Sequence, residues 1–293
     1  MAGNDGYTKL LIGSNTTQGS TTFTDTSVSG GHTVTGNGSA IHSTTQEKFG
    51  SSSMYFETAG SSYLSVPDSA DWTFGSGDFT IDCWVNCDRT TTLGLWGQGN
   101  TADAKALVCW IRDDGSVTFG VISGPFDVDV TTAAGLITND TWHHIACVKY
   151  GTSYRIYIDG VLRGSVISAS TPFDVDREFV IGCRNEATSY TYFYEGYIDE
   201  FRVSKGIARW TSNFTPPTAA YTSIDYTIAG SLNNSARVLV INEDDWSLGE
   251  NSEESVGDYE VITTSGSKTV VAVDGDGEVL GYGDVTPGTI SYV

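Results

Sequence analysis

The chain has 293 residues, of which 36 are Asp or Glu and 15 are Lys or Arg, giving a formal net charge of −21. This excess of acid excludes a basic surface that would recruit nucleic-acid phosphates or anionic membranes. No apolar run is long enough for a transmembrane helix, and the first residues lack the basic and apolar regions of a secretory signal. We therefore expect a protein made in the cytoplasm, with no nucleic-acid partner and no membrane insertion.

Short strand-like segments separated by glycine-containing turns make up the first two thirds of the sequence. The clearest is Asp78–Val85, where Phe79, Ile81 and Cys83 recur at every second position, as in a strand that buries one face. Further segments with strand character are Lys9–Ile12, Ser53–Glu57, Tyr63–Val66, Leu107–Arg112, Ser116–Ile122, Trp142–Tyr150, Ser153–Ile158, Glu178–Ile181 and Tyr194–Val203. Because no amphipathic helix is predicted, this pattern indicates an all-β sandwich.

The composition changes at residues 211–222, which contain Pro216 and Pro217 and no charged residue. Proline fixes φ and disfavours helix in the residue before it, so this stretch predicts an extended linker. Strand-like segments then resume at Asp225–Gly230, Ala236–Asn242, Gly257–Thr264, Lys268–Asp274 and Glu278–Val285. The predicted domains are residues 1–222, which include the linker, and residues 223–293, a small acidic immunoglobulin-like β-sandwich.

The chain contains five cysteines, an odd number that argues against a complete disulfide framework. Cys83 and Cys87 lie four residues apart on a predicted strand, about 13 Å, whereas the Cα atoms of a disulfide lie within about 7 Å. The predicted state is therefore buried free thiols. A zinc site is the less favoured alternative, because paired cysteine spacing is missing.

Four segments resemble one family when they are taken together and in order. They are Phe79–Val85 (FTIDCWV), Thr141–Ala146 (TWHHIA), Tyr154–Leu162 (YRIYIDGVL) and Tyr197–Ser204 (YIDEFRVS). The set is similar to the laminin-G-like, concanavalin A-like jelly-roll family and covers roughly residues 7–218. The resemblance implies two stacked sheets, with a concave face and rim loops available to ligands.

A narrower likeness is to versions of this domain in tailed-phage virion proteins. It rests on Ser20–Asp25 (STTFTD), Lys48–Ser52 (KFGSS), Tyr63–Ser69 (YLSVPDS) and Lys205–Trp210 (KGIARW). The resemblance implies a structural protein on the virion surface, a decoration or fibre module that adheres to a host or glycan. Its expected partners are other virion proteins, a host surface glycan and copies of itself, since many copies convert weak contacts into avidity.

Two other functional classes compete with this hypothesis. One is a cellular carbohydrate-binding module or adhesin. The less favoured one is a glycoside hydrolase, which needs two carboxylates about 5–10 Å apart across a cleft. The best pair is Asp199 and Glu200, but adjacent strand residues point to opposite faces unless a bulge intervenes. The four histidines offer no triad, so we predict that the protein is not an enzyme.

The predicted ligand site is aromatic. Tyr190, Tyr192 and Tyr194 recur at every second position and would share one face of a strand, with Trp96 as a further candidate. Aromatic platforms with a few polar groups are typical of saccharide sites. The alternative is that these residues pack in the core or form an oligomer contact.

Calcium is the one cofactor that the sequence leaves open. Ca²⁺ requires 6–8 oxygen ligands, and Glu57 and Asp199 could each contribute a carboxylate. The alternative is an acid that fixes a turn through hydrogen bonds. A second acidic stretch, Asp274–Glu278, resembles the start of a calcium loop but lacks its final bidentate glutamate, and predicts a hairpin turn instead.

Overall fold

The computed structural model describes residues 3–28, 31–100, 105–122, 126–186, 189–222, 226–242, 253–263, 268–274 and 279–284. Two compact units divide the chain: the first contains Tyr7–Tyr221, and the second contains Thr222–Val293 with Gly3–Gly6. Within the described ranges, helix is limited to the 3-10 turn Ala70–Trp72. None of the described residues forms a helix that is long and apolar enough to cross a membrane.

The first unit is built from short antiparallel strands. They are β1 (Thr8–Ile12), β2 (Thr35–Asn37), β3 (Ile41–Ser43), β4 (Ser53–Phe56), β5 (Tyr63–Val66), β6 (Phe79–Cys87), β7 (Leu93–Asn100), β8 (Lys105–Ile111), β9 (Val117–Ile122), β10 (Phe126–Thr131), β11 (His143–Tyr150), β12 (Ser153–Ile158), β13 (Val161–Ile167), β14 (Phe179–Ile181), β15 (Arg184–Glu186), β16 (Ser189–Thr191) and β17 (Gly196–Lys205). The predicted all-β class is confirmed.

Two sheets form the sandwich. Sheet A has the order β13-β12-β11-β6-β17-β4-β3, and β1 also pairs with β17. Sheet B has the order β10-β9-β8-β7-β14-β5-β2. The strands β15 and β16 form a separate hairpin. Apolar residues from both sheets meet in one continuous core, to which β6 contributes Phe79, Ile81 and Val85 and β8 contributes Leu107 and Ile111.

The strand β6 is buried on both faces, whereas alternation predicted one buried face. Its second face carries Asp82 and Trp84, and the chain after β17 covers the adjoining part of sheet A. In that covering segment Trp210 and Phe214 stack with ring centroids 4.0 Å apart, and both pack against a buried cluster of sheet A. The N–H of Phe214 also donates to the carbonyl oxygen of Gly160 at 2.8 Å. The segment 211–221 belongs to the first unit and is anchored to it at Phe214 and the buried Tyr221, which differs from the predicted linker between units.

The described strands of the second unit form one antiparallel sheet. It contains β18 (Tyr226–Asn242), β19 (Glu253–Thr263), β20 (Lys268–Asp274) and β21 (Val279–Asp284) in the order β19-β18-β20-β21. A second sheet, which an immunoglobulin-like sandwich requires, is not among these described strands. The turn predicted within Asp274–Glu278 includes residues 275–278, which lie outside the described residues.

The prediction of buried free thiols is confirmed. All five cysteines are buried and none forms a disulfide. The sulfur atoms of Cys109 and Cys147 lie 3.7 Å apart in the core, one on each sheet. Burial raises the pKa of Cys87 to about 11, with Arg89 opposing the rise, so this thiol is protonated at neutral pH.

Candidate ligand-binding site

Two of the four aromatic residues predicted to contact a ligand lie inside the sandwich. Trp96 is 1% exposed and stacks against Phe179, with ring centroids 6.0 Å apart. Tyr194 is fully buried and meets Phe56 edge-on at the same separation, 6.0 Å. Because their rings are enclosed by the core, neither is accessible to a ligand, which corrects the prediction for both residues.

The regular strand predicted across the tyrosine-rich segment ends early. β16 stops one residue before Tyr192, which adopts a φ of +51°. The three tyrosines therefore do not share a face. Tyr190 packs its ring on Tyr63 at 4.4 Å and donates its hydroxyl hydrogen bond to Glu178. Of the two interpretations left open by the sequence, packing describes Tyr190.

Tyr192 remains accessible, and an arginine lies beside it. The ring of Tyr192 is 46% exposed, and the guanidinium carbon of Arg184 lies 5.7 Å from its centroid. The same guanidinium lies 4.8 Å from the ring of Trp110, which is buried beneath it. We call these three residues the tyrosine–arginine rim. A positive φ is costly for a bulky residue and tends to persist at sites where function requires it.

The fold explains how the rim is assembled. Trp110 lies on β8 between the core residues Cys109 and Ile111, so alternation directs it to the outer face of sheet B. A β-carbon at Gly94 of β7 would lie 2.6 Å from the backbone nitrogen of Arg184. The glycine thus allows the β15–β16 hairpin to close over sheet B. The backbone N–H of Gly94 also donates to the carbonyl oxygen of Tyr192 at 2.5 Å.

A second arginine extends the rim along the same face. The guanidinium carbon of Arg112 lies 6.0 Å from the Trp110 ring, and its Nε donates to the hydroxyl of Thr118 at 3.0 Å. Guanidinium groups pair with carboxylates and stack on aromatic rings. The rim and Arg112 therefore place one exposed aromatic ring and two guanidinium groups on the same face of sheet B.

Asp199 and Glu57, the two acids predicted to share calcium, lie in different surroundings. Both oxygens of the buried Asp199 accept backbone hydrogen bonds, from Lys48 at 3.3 Å, Phe49 at 3.1 Å and Glu200 at 3.0 Å. Glu57 directly follows β4, whereas Asp199 lies on β17 beyond the residues that pair with β4. Across the described residues, no group of three or more His, Cys, Asp or Glu could hold a metal ion. Asp199 fits the alternative, an acid that fixes a turn.

A bulge occurs where Asp199 and Glu200 interrupt β17. The register against β6 shifts between Asp199 and Arg202, and Glu200 has a φ of +50°. The exception to regular alternation that the sequence left open, a bulge, therefore occurs at this pair. One carboxylate oxygen of Glu200 accepts the N–H of Tyr221 at 2.6 Å. Since Asp199 is enclosed by backbone donors, the two carboxyl groups do not face each other across a substrate cleft.

One hydrogen-bonded chain has the order of a catalytic triad, which the sequence did not predict. His143 Nδ1 lies 2.7 Å from a carboxylate oxygen of Asp159, and Nε2 lies 2.9 Å from the Thr138 hydroxyl. The other oxygen of Asp159 accepts the N–H of His144, and Asp159 and Gly160 both have positive φ, as in a tight hairpin turn. The Thr138 N–H also donates to Nε2. These bonds tie the start of β11 to the β12–β13 turn, a structural role.

The two stacked antiparallel sheets define a jelly-roll β-sandwich. The chain belongs to the concanavalin A-like lectin/glucanases superfamily, whose laminin-G-type sequence profile matches residues 58–209. This confirms the family predicted from the four sequence segments. No curated protein sequence matches the chain.

Solved structures resemble the chain at low sequence identity. The binding domain of Paraclostridial Mosquitocidal Protein 1 superimposes with a TM-score of 0.53 at 14% identity, over 89% of this chain and 64% of that chain. The binding domain of Botulinum Neurotoxin DC in complex with SialylT gives a TM-score of 0.51 at 10% identity, over 91% and 73%. Domain 4 of the arabinanase AbnA from Geobacillus stearothermophilus gives 0.49 at 20% identity, over 69% and 94%. These likenesses concern the fold.

Proposed function

We propose that the first unit is a non-catalytic glycan-binding module and that its ligand contacts the tyrosine–arginine rim. The observation that carries the proposal is the exposed ring of Tyr192, held at a positive φ against Arg184, which is itself backed by Trp110. An exposed tyrosine beside an arginine recurs at Tyr150 and Arg155, but the rim differs because its arginine also lies against the buried ring of Trp110. The rim favours sugars that carry a carboxylate.

The binding mode follows from the chemistry of the rim. The Tyr192 ring stacks on the apolar face of a sugar, while the guanidinium groups of Arg184 and Arg112 pair with its acidic substituent. The Botulinum Neurotoxin DC binding domain, solved with SialylT, offers support only as an example of a similar fold that engages a ligand.

Tyr192→Ala tests the proposal on a glycan array probed with the full chain. We expect acidic glycans to bind the unaltered protein and the variant to bind them about tenfold more weakly, the equivalent of about 1.4 kcal/mol of stacking. Tyr150→Ala is the matched control, because Tyr150 is 49% exposed and also lies near an arginine, Arg155, at 5.3 Å. A blank array, or equal losses in both variants, would reject the rim as the site. Repeating the array with calcium and with a chelator tests the calcium hypothesis.

We further propose that this module is displayed on a phage virion, as a decoration or fibre component that adheres to host glycans. The support is the likeness of Ser20–Asp25, Lys48–Ser52, Tyr63–Ser69 and Lys205–Trp210 to segments of tailed-phage virion proteins. A homo-oligomer would present several rims together and strengthen weak contacts through avidity. Calcium and other virion proteins are further proposed partners.

Mass spectrometry of purified particles tests the virion proposal. We expect peptides of this chain to co-purify with intact particles through a density gradient. Recovery only from the host envelope fraction would favour the alternative, a cellular carbohydrate-binding module or adhesin.

A further inference from the structure

A cavity of about 450 Å³ lies in the first unit, at the point where one edge of β17 changes partner. Gly196–Ile198 of β17 pair with β4, and Phe201–Ser204 pair with β1. The bulge at Asp199 and Glu200 lies between these two pairings. The volume is within the range of small-molecule sites, about 300–1,000 Å³. The cavity lining does not include the rim residues on the outer face of sheet B.

One wall is a row of hydroxyl groups with strand periodicity. Ser20, Thr22, Thr24 and Thr26 occupy alternate positions and all four line the cavity, with the Thr26 hydroxyl donating to the Leu11 carbonyl oxygen at 3.2 Å. The residues between them have other roles, since Phe23 packs in the core. The Asp25 carboxylate accepts the N–H groups of Leu11, Ser27 and His32 at 3.1, 2.9 and 3.2 Å, which anchors the segment to β1. These hydrogen bonds fix the backbone of the segment, and with it the side of the segment on which the four hydroxyl-bearing residues lie.

The deeper surface of the cavity is polar and internally ordered. The Nε2–H of His42 donates to the Thr22 carbonyl oxygen at 2.9 Å, so its Nδ1 accepts from the Ser14 hydroxyl at 2.5 Å. The Ser52 hydroxyl lies 2.8 Å from that of Ser14 and accepts the N–H of Thr16 at 3.0 Å. Burial lowers the pKa of His42, with the Thr22 bond opposing the shift, and the neutral ring suits this hydrogen-bond order.

Glu200 is the acidic residue in the lining of the cavity. Its side chain is 6% exposed, with one oxygen bonded to the Tyr221 N–H and the other beside Gly13. A β-carbon at Gly13 would lie 2.8 Å from that second oxygen, so the glycine leaves room for the carboxylate. The described residues that line the cavity include no Lys or Arg, while Phe49 and Tyr221 contribute aromatic surface.

We propose that this cavity is a second binding site, specific for a neutral sugar residue. Hydroxyl groups of the ligand would donate to the Glu200 carboxylate and exchange hydrogen bonds with the threonine row, and Phe49 would contact the apolar face of the ring. A carboxylate-bearing sugar is disfavoured, because Glu200 is the acidic residue of a lining that includes no Lys or Arg, and Arg202, whose charge acts on Glu200, lies outside that lining. The site thus has the opposite charge preference to the tyrosine–arginine rim.

The paired variant Thr22→Val/Thr24→Val tests the site with little risk to folding. Both side chains are exposed, and the exchange removes hydroxyls while keeping their size. The control is Thr21→Val, an equally exposed neighbour that does not line the cavity. Saturation-transfer difference NMR of the full chain would be recorded with glucose, galactose, mannose and N-acetylglucosamine, and with N-acetylneuraminic acid as the acidic probe.

We expect at least one neutral sugar to bind, its dissociation constant to rise about tenfold in the paired variant, and Thr21→Val to leave it unchanged. Gly13→Ala, whose new methyl displaces the Glu200 carboxylate, should weaken the same sugar. No binding of any neutral sugar, or binding that survives both substitutions, would overturn the proposal. Tyr192→Ala should leave neutral-sugar binding intact, so failure at the rim and failure at the cavity give different results.

Discussion

Replacement of Asp82 by asparagine is expected to lower the free energy of unfolding by about 3–5 kcal/mol, the range for breaking a buried ion pair by removing one partner. Asp82 and Arg202 are both buried, and the carboxylate accepts Arg202 Nε at 3.0 Å and a terminal guanidinium nitrogen at 3.2 Å. The Tyr221 hydroxyl at 2.5 Å and His144 Nε2 at 3.3 Å complete its partners. Asparagine would remove the carboxylate that two guanidinium nitrogens of buried Arg202 contact.

The burial of Asp82 explains why its replacement should lower the free energy of unfolding by more than the loss of a surface ion pair would. Burial alone would raise the pKa of Asp82, but the Arg202 charge and the hydrogen bonds of His144 and Tyr221 hold it at about 2. Because this pKa is depressed, the carboxylate stabilises the fold above its unfolded-state pKa, and the stabilisation is lost as the pH falls toward 2. The cluster also fastens the segment ending at Tyr221 to sheet A.

Thermal and urea unfolding at neutral pH measure the effect of Asp82→Asn. A domain of this size should lose about 10 °C in Tm, because 1 kcal/mol corresponds to about 2–4 °C. Asp113→Asn, at an exposed turn, is the matched control and should change the unfolding free energy by less than about 0.5 kcal/mol. A loss below about 1 kcal/mol in Asp82→Asn would contradict the argument, since that is the range of surface pairs.

Strand alternation and the family segments were sufficient to predict the sandwich. The positions of Phe79, Ile81 and Cys83 show which side of β6 enters the core, because each strand's side chains alternate in a period of two. Alternation could not show that Asp82, on the other side, is also buried. That burial depends on contacts from Tyr221, whose hydroxyl bonds to Asp82, although the prolines and the absence of charge in residues 211–222 predicted a linker there.

The rim and the cavity show where sequence reasoning ends. Tyr192 was predicted as a ligand contact because tyrosines recur at every second position. That argument assumed a continuous strand, and it therefore also included Tyr194 in the predicted ligand site, although Tyr194 is buried. Arg184 and Trp110 come together only when the β15–β16 hairpin closes over sheet B, a tertiary event without a local signal. The hydroxyl row from Ser20 to Thr26 did have a signal, its period of two, but its ligand-facing role required the position of Glu200.

The bulge at Asp199 leads to a prediction about pH. Burial raises the pKa of Asp199 to about 7, and the neighbouring Glu200 adds to the rise, while the N–H donors of Phe49, Glu200 and Lys48 oppose it. The native state therefore holds a proton that the unfolded chain, with a carboxyl pKa near 3.8, has released over the intervening pH range. Stability contributed by this group is fully present below the unfolded-state pKa and is lost as the pH rises to about 7.

Asp199→Asn isolates this contribution, because the amide does not titrate and the hydrogen bond that it loses at one side-chain position is lost at both pH values. Between about pH 5 and about pH 8, we expect the variant to gain about 2–3 kcal/mol of unfolding free energy relative to the unaltered protein, at about 1.4 kcal/mol per pKa unit. Urea unfolding of both proteins at the two pH values gives this difference directly, and histidine titrations common to both cancel. Asp113→Asn should show no such change. A relative loss on raising the pH would mean that the three backbone donors keep Asp199 ionised, and that the charged carboxylate itself stabilises the bulge beside the cavity.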